Sequence, residues 1–118
     1  MVIEETAFGT ITIDGVTYEH DVVIRLSGEV LKRKKKLSKR EYGTSHIVSK
    51  EEIKFIHEKG SERIIVGTGQ YDNLRLSDEA RDYLKKRKCG VIACPTPEAI
   101  RVFNNSEPGT IGLFHVTC

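Results

Sequence analysis

The chain has 118 residues and a mass of 13.3 kDa, the size of one domain. Hydrophobic residues make up 38% and charged residues 31%, which excludes a disordered chain and leaves one globular core that needs no disulfide staples. No apolar run exceeds four residues, against the roughly 20 of a membrane span, and the start Met1-Val2-Ile3-Glu4-Glu5 is acidic where a targeting leader is basic. The expectation is a cytoplasmic protein that engages no membrane.

The formal net charge of +2 is unevenly spread. Residues 32–40 hold seven of the 19 basic residues and no acid, leaving 12 basic against 17 acidic residues elsewhere. This is a basic strip on an acidic body rather than the broad basic face of a nucleic-acid binder. No aromatic interleaves the strip, so base stacking is unsupported. A solvated strand edge guarded by lysine needs the same residues and is the favoured reading. Three cysteines, Cys89, Cys94 and Cys118, are too few and too irregular for a disulfide framework. The single Gln, single Met and dense Lys/Glu/Arg resemble a thermophile's composition, which keeps an intracellular disulfide open.

In chain order, residues 8–13 alternate as a strand and Asp14-Gly15 signals a hairpin turn. Val16 to Arg25 reads as one long strand, Ser27-Gly28 as another turn, and Glu29 to Lys34 as an exposed strand. Lys32 to Ile47 has no clear period and reads as strand end plus loop. Ser49-Lys50-Glu51-Glu52 is a capping box opening a helix with Ile53 and Ile56 on one face, stopped at Gly60. Arg63 to Val66 is a short strand ending in Gly67-Thr68-Gly69. Ser77 caps a second helix with acids in its first turn and lysines in its last, closed by Gly90. Val91 to Cys94 is a strand, and Thr96-Pro97 an N-cap with proline at the first helical position. Thr110 to Thr117 is a final strand with Ile111 and Leu113 on one face and Phe114 and Val116 on the other. A strand apolar on both faces lies in the middle of a sheet covered on both sides. The fold class is therefore α/β: a β-rich N-terminal third, then βαβαβ, in one domain.

Gly67-Thr68-Gly69 lacks the third glycine of a dinucleotide fingerprint, since position 72 is Asp. A tight turn is the favoured reading, a ligand-facing loop at a strand's carboxyl end the alternative. The amides after Thr96 are a second candidate anion site. His46, in the small polar loop Gly43-Thr44-Ser45-His46, is the best candidate among four histidines. His115 reads as a satisfied core histidine. Three residues apart on a strand, His115 and Cys118 point to opposite faces and share no metal unless the chain curls there. Cys89 and Cys94 pack rather than react.

Taken together, Arg40-Glu41-x-Gly43-Thr44-x-His46, Gly67-x-Gly69, Tyr83-Leu84-Lys85-Lys86 and Gly112-x-Phe114-His115-x-Thr117-Cys118 resemble one family. It is the small α/β domain shared by archaeal and bacterial proteins of unassigned function, the adipogenesis-associated domain protein of animals and mitochondrial complex I assembly factor 3. The resemblance implies a three-layer fold with a mixed central sheet and an N-terminal β-hairpin region. It supplies no catalytic residue, and the lysine run stands where the family has an aromatic-containing segment. With no nucleophile, metal or cofactor motif, the favoured expectation is a non-enzymatic interaction or assembly-type domain with a protein partner. The alternative is a small anionic-ligand-binding protein, or an enzyme, with its site at Arg40, Glu41, His46, Gly67, Thr68 and Gly69. Nucleic-acid binding through Lys32 to Arg40 is a less favoured third. The oligomeric state and the direction of the last strand stay open.

Overall fold

The computed structural model describes residues 1–118. Strands β1 (Ile3–Ala7), β2 (Thr10–Ile13) and β3 (Val16–Tyr18) form an antiparallel sheet in the order β1-β2-β3. The central sheet is built from β4 (Val22–Ile24), β5 (Val30–Lys32), β7 (Arg63–Thr68), β9 (Gly90–Cys94) and β10 (Thr110–His115), in the order β5-β4-β10-β7-β9. Helices α1 (Lys36–Tyr42), α2 (Lys50–Ile56), α3 (Asp78–Lys86) and α4 (Thr96–Asn104) connect these strands. A two-residue parallel pair, β6 (Ile47–Val48) and β8 (Arg75–Leu76), ties the approaches to α2 and α3 together. No helix is long and apolar enough to cross a membrane.

β10 lies in the middle of the central sheet, antiparallel to β4 and parallel to β7 in the register Thr110↔Arg63 to His115↔Thr68. Its two apolar faces enter two different cores. Ile111 and Leu113 join Ile53, Ile56, Ala80 and Leu84 beneath α2 and α3, whereas Phe114 and Val116 join Ile11, Ile13, Ala99 and Ile100 beneath α4 and the three-stranded sheet. The sheet is thus covered on both faces, as expected from the final strand, and mixed, the three-layer α/β arrangement that the family resemblance implies.

Several local expectations are corrected. Val16 to Arg25 is not one strand. The chain leaves the first sheet after Tyr18 and enters the central sheet at Val22, because the Asp21 carboxylate bonds Arg33 and the Val116 amide and pins the crossing. The stretch read as loop contains α1. That helix has no side-chain N-cap and no acid in its first turn, so the usual start signals are missing, and its buried residue is the polar Ser38. The capping box is half formed. Ser49 Oγ accepts from the Glu52 amide at 3.1 Å, but the Ser49 amide goes to Ser38 Oγ at 2.8 Å, which frees the Glu52 side chain for Arg33. α2 ends at Ile56, with His57 extended, before Gly60 is reached. Ser77 caps α3 through Ala80 as expected. The helix is closed by Arg87 and the left-handed Lys88, and Gly90 opens β9. Thr96 lies inside α4 rather than capping it; Pro95 precedes the helix, and the Thr96 hydroxyl serves the sheet edge instead.

Candidate functional site

Because β10 and β7 run parallel, their carboxyl ends share one edge of the sheet. Here the interior is ionic. Arg33 follows β5, 4% exposed, and grips the fully buried Glu52 of α2 bidentately, Nε to Oε2 at 2.6 Å and Nη2 to Oε1 at 3.0 Å. The same guanidinium donates through Nη1 to Asp21 Oδ2 at 2.9 Å and through Nη2 to the Ser45 carbonyl at 2.6 Å. Ser38 completes the shell of Glu52 with a hydroxyl bond to Oε1. Every partner of Glu52 is a donor, as an ionised carboxylate requires. Burial alone would lower the Arg33 pKa, but the bonds and charges of Glu52 and then Asp21 outweigh it and push it up.

Asp21 carries the network onward. Its Oδ2 lies 2.8 Å from His115 Nδ1, and its Oδ1 accepts the Val116 amide at 2.8 Å. Burial would raise its pKa; the bond and charge of His115, then the Val116 amide and Arg33, overcome this and hold the carboxyl at about 2. A carboxylate only accepts, so Nδ1 of His115 donates to Asp21, and Nε2 lies 3.3 Å from Thr117 Oγ1. His115 is thus a buried histidine with both nitrogens partnered.

After His115 the chain leaves the sheet and curls. Gln70 N bonds the Thr117 carbonyl at 2.7 Å and Asn73 N the Cys118 carbonyl at 3.0 Å. The curl overturns the expectation, drawn from a continuous strand to Thr117, that His115 and Cys118 face apart. Cys118 Sγ lies 3.8 Å from His46 Nε2, and the His46 and His115 rings meet edge-to-face at 5.4 Å. Above them opens a cleft of about 340 Å³. His46, His115 and Arg33 belong to its wall, and the exposed Lys32, Lys35 and Glu19 to its rim.

The six residues singled out from sequence do not all meet here. His46 faces the cleft. Arg40 and Glu41 lie exposed on α1, and neither lines it. Gly67, Thr68 and Gly69 are at the same sheet edge but serve packing. A β-carbon at Gly67 would come within 2.8 Å of Thr96 Oγ1 and 2.9 Å of Phe114; one at Gly69 would stand 2.5 Å from the Cys118 carbonyl carbon. The Gly69 amide is taken by Thr96 Oγ1 at 2.9 Å, and that hydroxyl donates to the His115 carbonyl at 2.6 Å. Thr68 Oγ1 bonds Asp72. The amides following Thr96 are also engaged: Thr96 N with Gly69, Glu98 and Ala99 N with Pro95. The glycine loop therefore seats the curled chain against the sheet.

Asp21 and the buried pairing of Arg33 with Glu52 are the site features that sequence reasoning missed. Arg33 was legible in principle: on β5 and its continuation it shares a face with Leu31, which packs on the core, opposite Lys32 and Lys34. All three cysteines are free. Burial pushes the thiols of Cys89 and, with help from Glu98 and Asp72, Cys94 upward, in keeping with packing rather than reaction.

Known proteins repeat this fold over its whole length. A conserved hypothetical protein from Pyrococcus horikoshii, PH1505, is 36% identical with a TM-score of 0.94, each chain covered completely. The protein MT938 is 31% identical, TM-score 0.85, covering 99% of this chain and 98% of that one. A Mth938-like domain from Bordetella pertussis shares the fold at 18% identity and TM-score 0.62, covering 98% of this chain and 85% of that one. Residues 3–107 match the family model described as protein of unknown function, DUF498/DUF598, and the chain belongs to that family.

Proposed function

We propose that this protein binds a small anionic ligand in the cleft at the carboxyl edge of β7 and β10. The observation that carries the reading is the cleft itself. It pairs a preorganised polar wall, with His115 held by Asp21 and Asp21 held by Arg33, with a rim bearing Lys32 and Lys35 against the single acid Glu19. Open α/β sheets bind ligands at this edge, and a pocket with a few convergent polar groups is the usual form of a small-molecule site. The test is thermal unfolding against a panel of inorganic phosphate, di- and tricarboxylates and nucleoside phosphates. A panel member at a hundred times its Kd stabilises the folded state by about 2.7 kcal/mol, and Lys32→Ala with Lys35→Ala abolishes that shift. A panel without effect, or a double variant that responds like the wild type, defeats the reading.

One observation favours a second reading, a protein-interaction domain. β9 is an edge strand paired only with β7, carries no lysine, and exposes Ile92 to 43%. Such an edge accepts an added strand from a partner. Ile92→Lys with Ala93→Lys should then abolish partner capture and leave the unfolding midpoint in place; capture that survives both lysines rules the edge out.

A further inference from the structure

We propose that His46, His115 and Cys118 form a site for one divalent transition-metal ion of the zinc class. Their ligand atoms all lie within 4.8 Å of one another, and His46 Nε2 to Cys118 Sγ is 3.8 Å. A tetrahedral ion with bonds of about 2.0–2.3 Å sets ligand atoms roughly 3.3–3.7 Å apart, so the trio closes on an ion through side-chain movements of about an ångström. Two imidazoles on such an ion hold their ring centres about 5 Å apart; here they stand 5.4 Å apart at 71°.

The supporting structure is that of a metal site. Asp21 occupies Nδ1 of His115 at 2.8 Å, and Nε2, which meets the Thr117 hydroxyl at 3.3 Å, would exchange that contact for the ion; a carboxylate on the far nitrogen is the arrangement that orients a ligating histidine and raises its basicity. Asp21 is itself fixed by Arg33 and the Val116 amide. The backbones of the other two ligands are also anchored, the His46 carbonyl by Arg75 N at 2.9 Å and the Cys118 carbonyl by Asn73 N at 3.0 Å. The three ligands thus come from two segments, the loop at His46 and the end of the chain after β10, each anchored by backbone hydrogen bonds.

Ligand chemistry points the same way, since a metal-bound cysteine is a thiolate. Two imidazoles and a thiolate select zinc, cobalt or copper over magnesium or calcium, which require oxygen. Three protein ligands leave a fourth position. The inference goes beyond the anion reading and stands without it, since Lys32 and Lys35 are not ligands.

The experiment titrates Co2+ and then Zn2+ into chelator-treated protein. Wild type is expected to take up one Co2+ with a thiolate-to-cobalt charge-transfer band and tetrahedral d–d bands, displaced by one Zn2+. Cys118→Ser removes the charge-transfer band, and His46→Ala and Cys118→Ser each lower Zn2+ affinity at least about tenfold. His20→Ala, which alters the same cleft away from the trio, and the Lys32/Lys35 double alanine variant both bind like wild type. Metal-free unfolding midpoints within a few degrees of wild type establish that the variants fold. The proposal is overturned if wild type shows no stoichiometric Co2+ uptake, if the spectrum lacks the thiolate band, or if folded His46→Ala and Cys118→Ser bind as tightly as wild type. Loss of phosphate or carboxylate binding in the lysine variant, with the cobalt spectrum intact, concerns the anion reading alone.

Discussion

Two stretches of the same basic run meet opposite fates. Arg33 is buried, with all its polar contacts made inside the fold to Glu52, Asp21 and Ser45. Lys36, Lys39 and Arg40, three to seven residues on, lie on the solvent side of α1. A run of like charges therefore does not behave as a unit. Position on the pleat and side-chain chemistry divide it, because only a guanidinium offers the planar fork that satisfies two carboxylates and a carbonyl at once. Lys34 falls between the extremes, its ammonium 4.4 Å from the centre of the Phe55 ring.

The largest effect expected from this contrast is at Arg33. Arg33→Ala leaves Glu52 charged and unpaired in the interior, at a cost of about 3–5 kcal/mol in urea unfolding. Arg33→Met with Glu52→Leu should recover more than half of that loss, since an apolar pair of similar volume often replaces a buried ion pair without penalty. A double variant as unstable as the sum of the two single variants would break the comparison. Next comes Ser38→Ala, which removes one donor from Glu52 and the acceptor of the Ser49 amide; about 2 kcal/mol is expected, read from the same curves. Lys34→Ala should cost about 0.5–1 kcal/mol through its aromatic contact. Smallest of all, Lys36→Ala, Lys39→Ala and Arg40→Ala should each lie within about 0.5 kcal/mol of wild type. A loss above about 1 kcal/mol for any of those three would show that α1's outer face is structural.

What was readable in the sequence is what rests on neighbouring residues. The two apolar faces of β10, the Ser77 cap and the Asp14-Gly15 turn are short-range patterns, and each is found in the fold. α1 was hidden because its one buried residue, Ser38, is polar and its first turn carries no acid. The ionic network was hidden for a different reason. Arg33 meets Glu52 across 19 positions, and Asp21 meets Val116 across 95, distances over which periodicity carries no information. His46 could be singled out as a polar loop histidine, but only the direction of β10 and the curl after it bring Cys118 and His115 alongside. Gly67 and Gly69 teach the converse lesson: a Gly-x-Gly loop at a strand end can be required by packing, Gly67 by the Thr96 and Phe114 side chains and Gly69 by the Cys118 backbone, with no ligand involved.

The place of β10 also governs the order in which the molecule can be assembled. It sits between β4 and β7, yet the ribosome produces it after both. Until it emerges, the β4–β5 hairpin and the β7–α3–β9 unit are two half-sheets with unpaired inner edges and two cores open at the centre. Co-translational folding therefore ends in an insertion step rather than in growth at an edge, and long-range pairing of this kind is slow and leaves the waiting edges open to association. Stalled nascent chains in which Asn105 but not β10 has cleared the exit tunnel should be degraded rapidly by added protease, and chains whose Cys118 has cleared it should resist; early resistance would mean that the half-sheets close on each other without their middle strand.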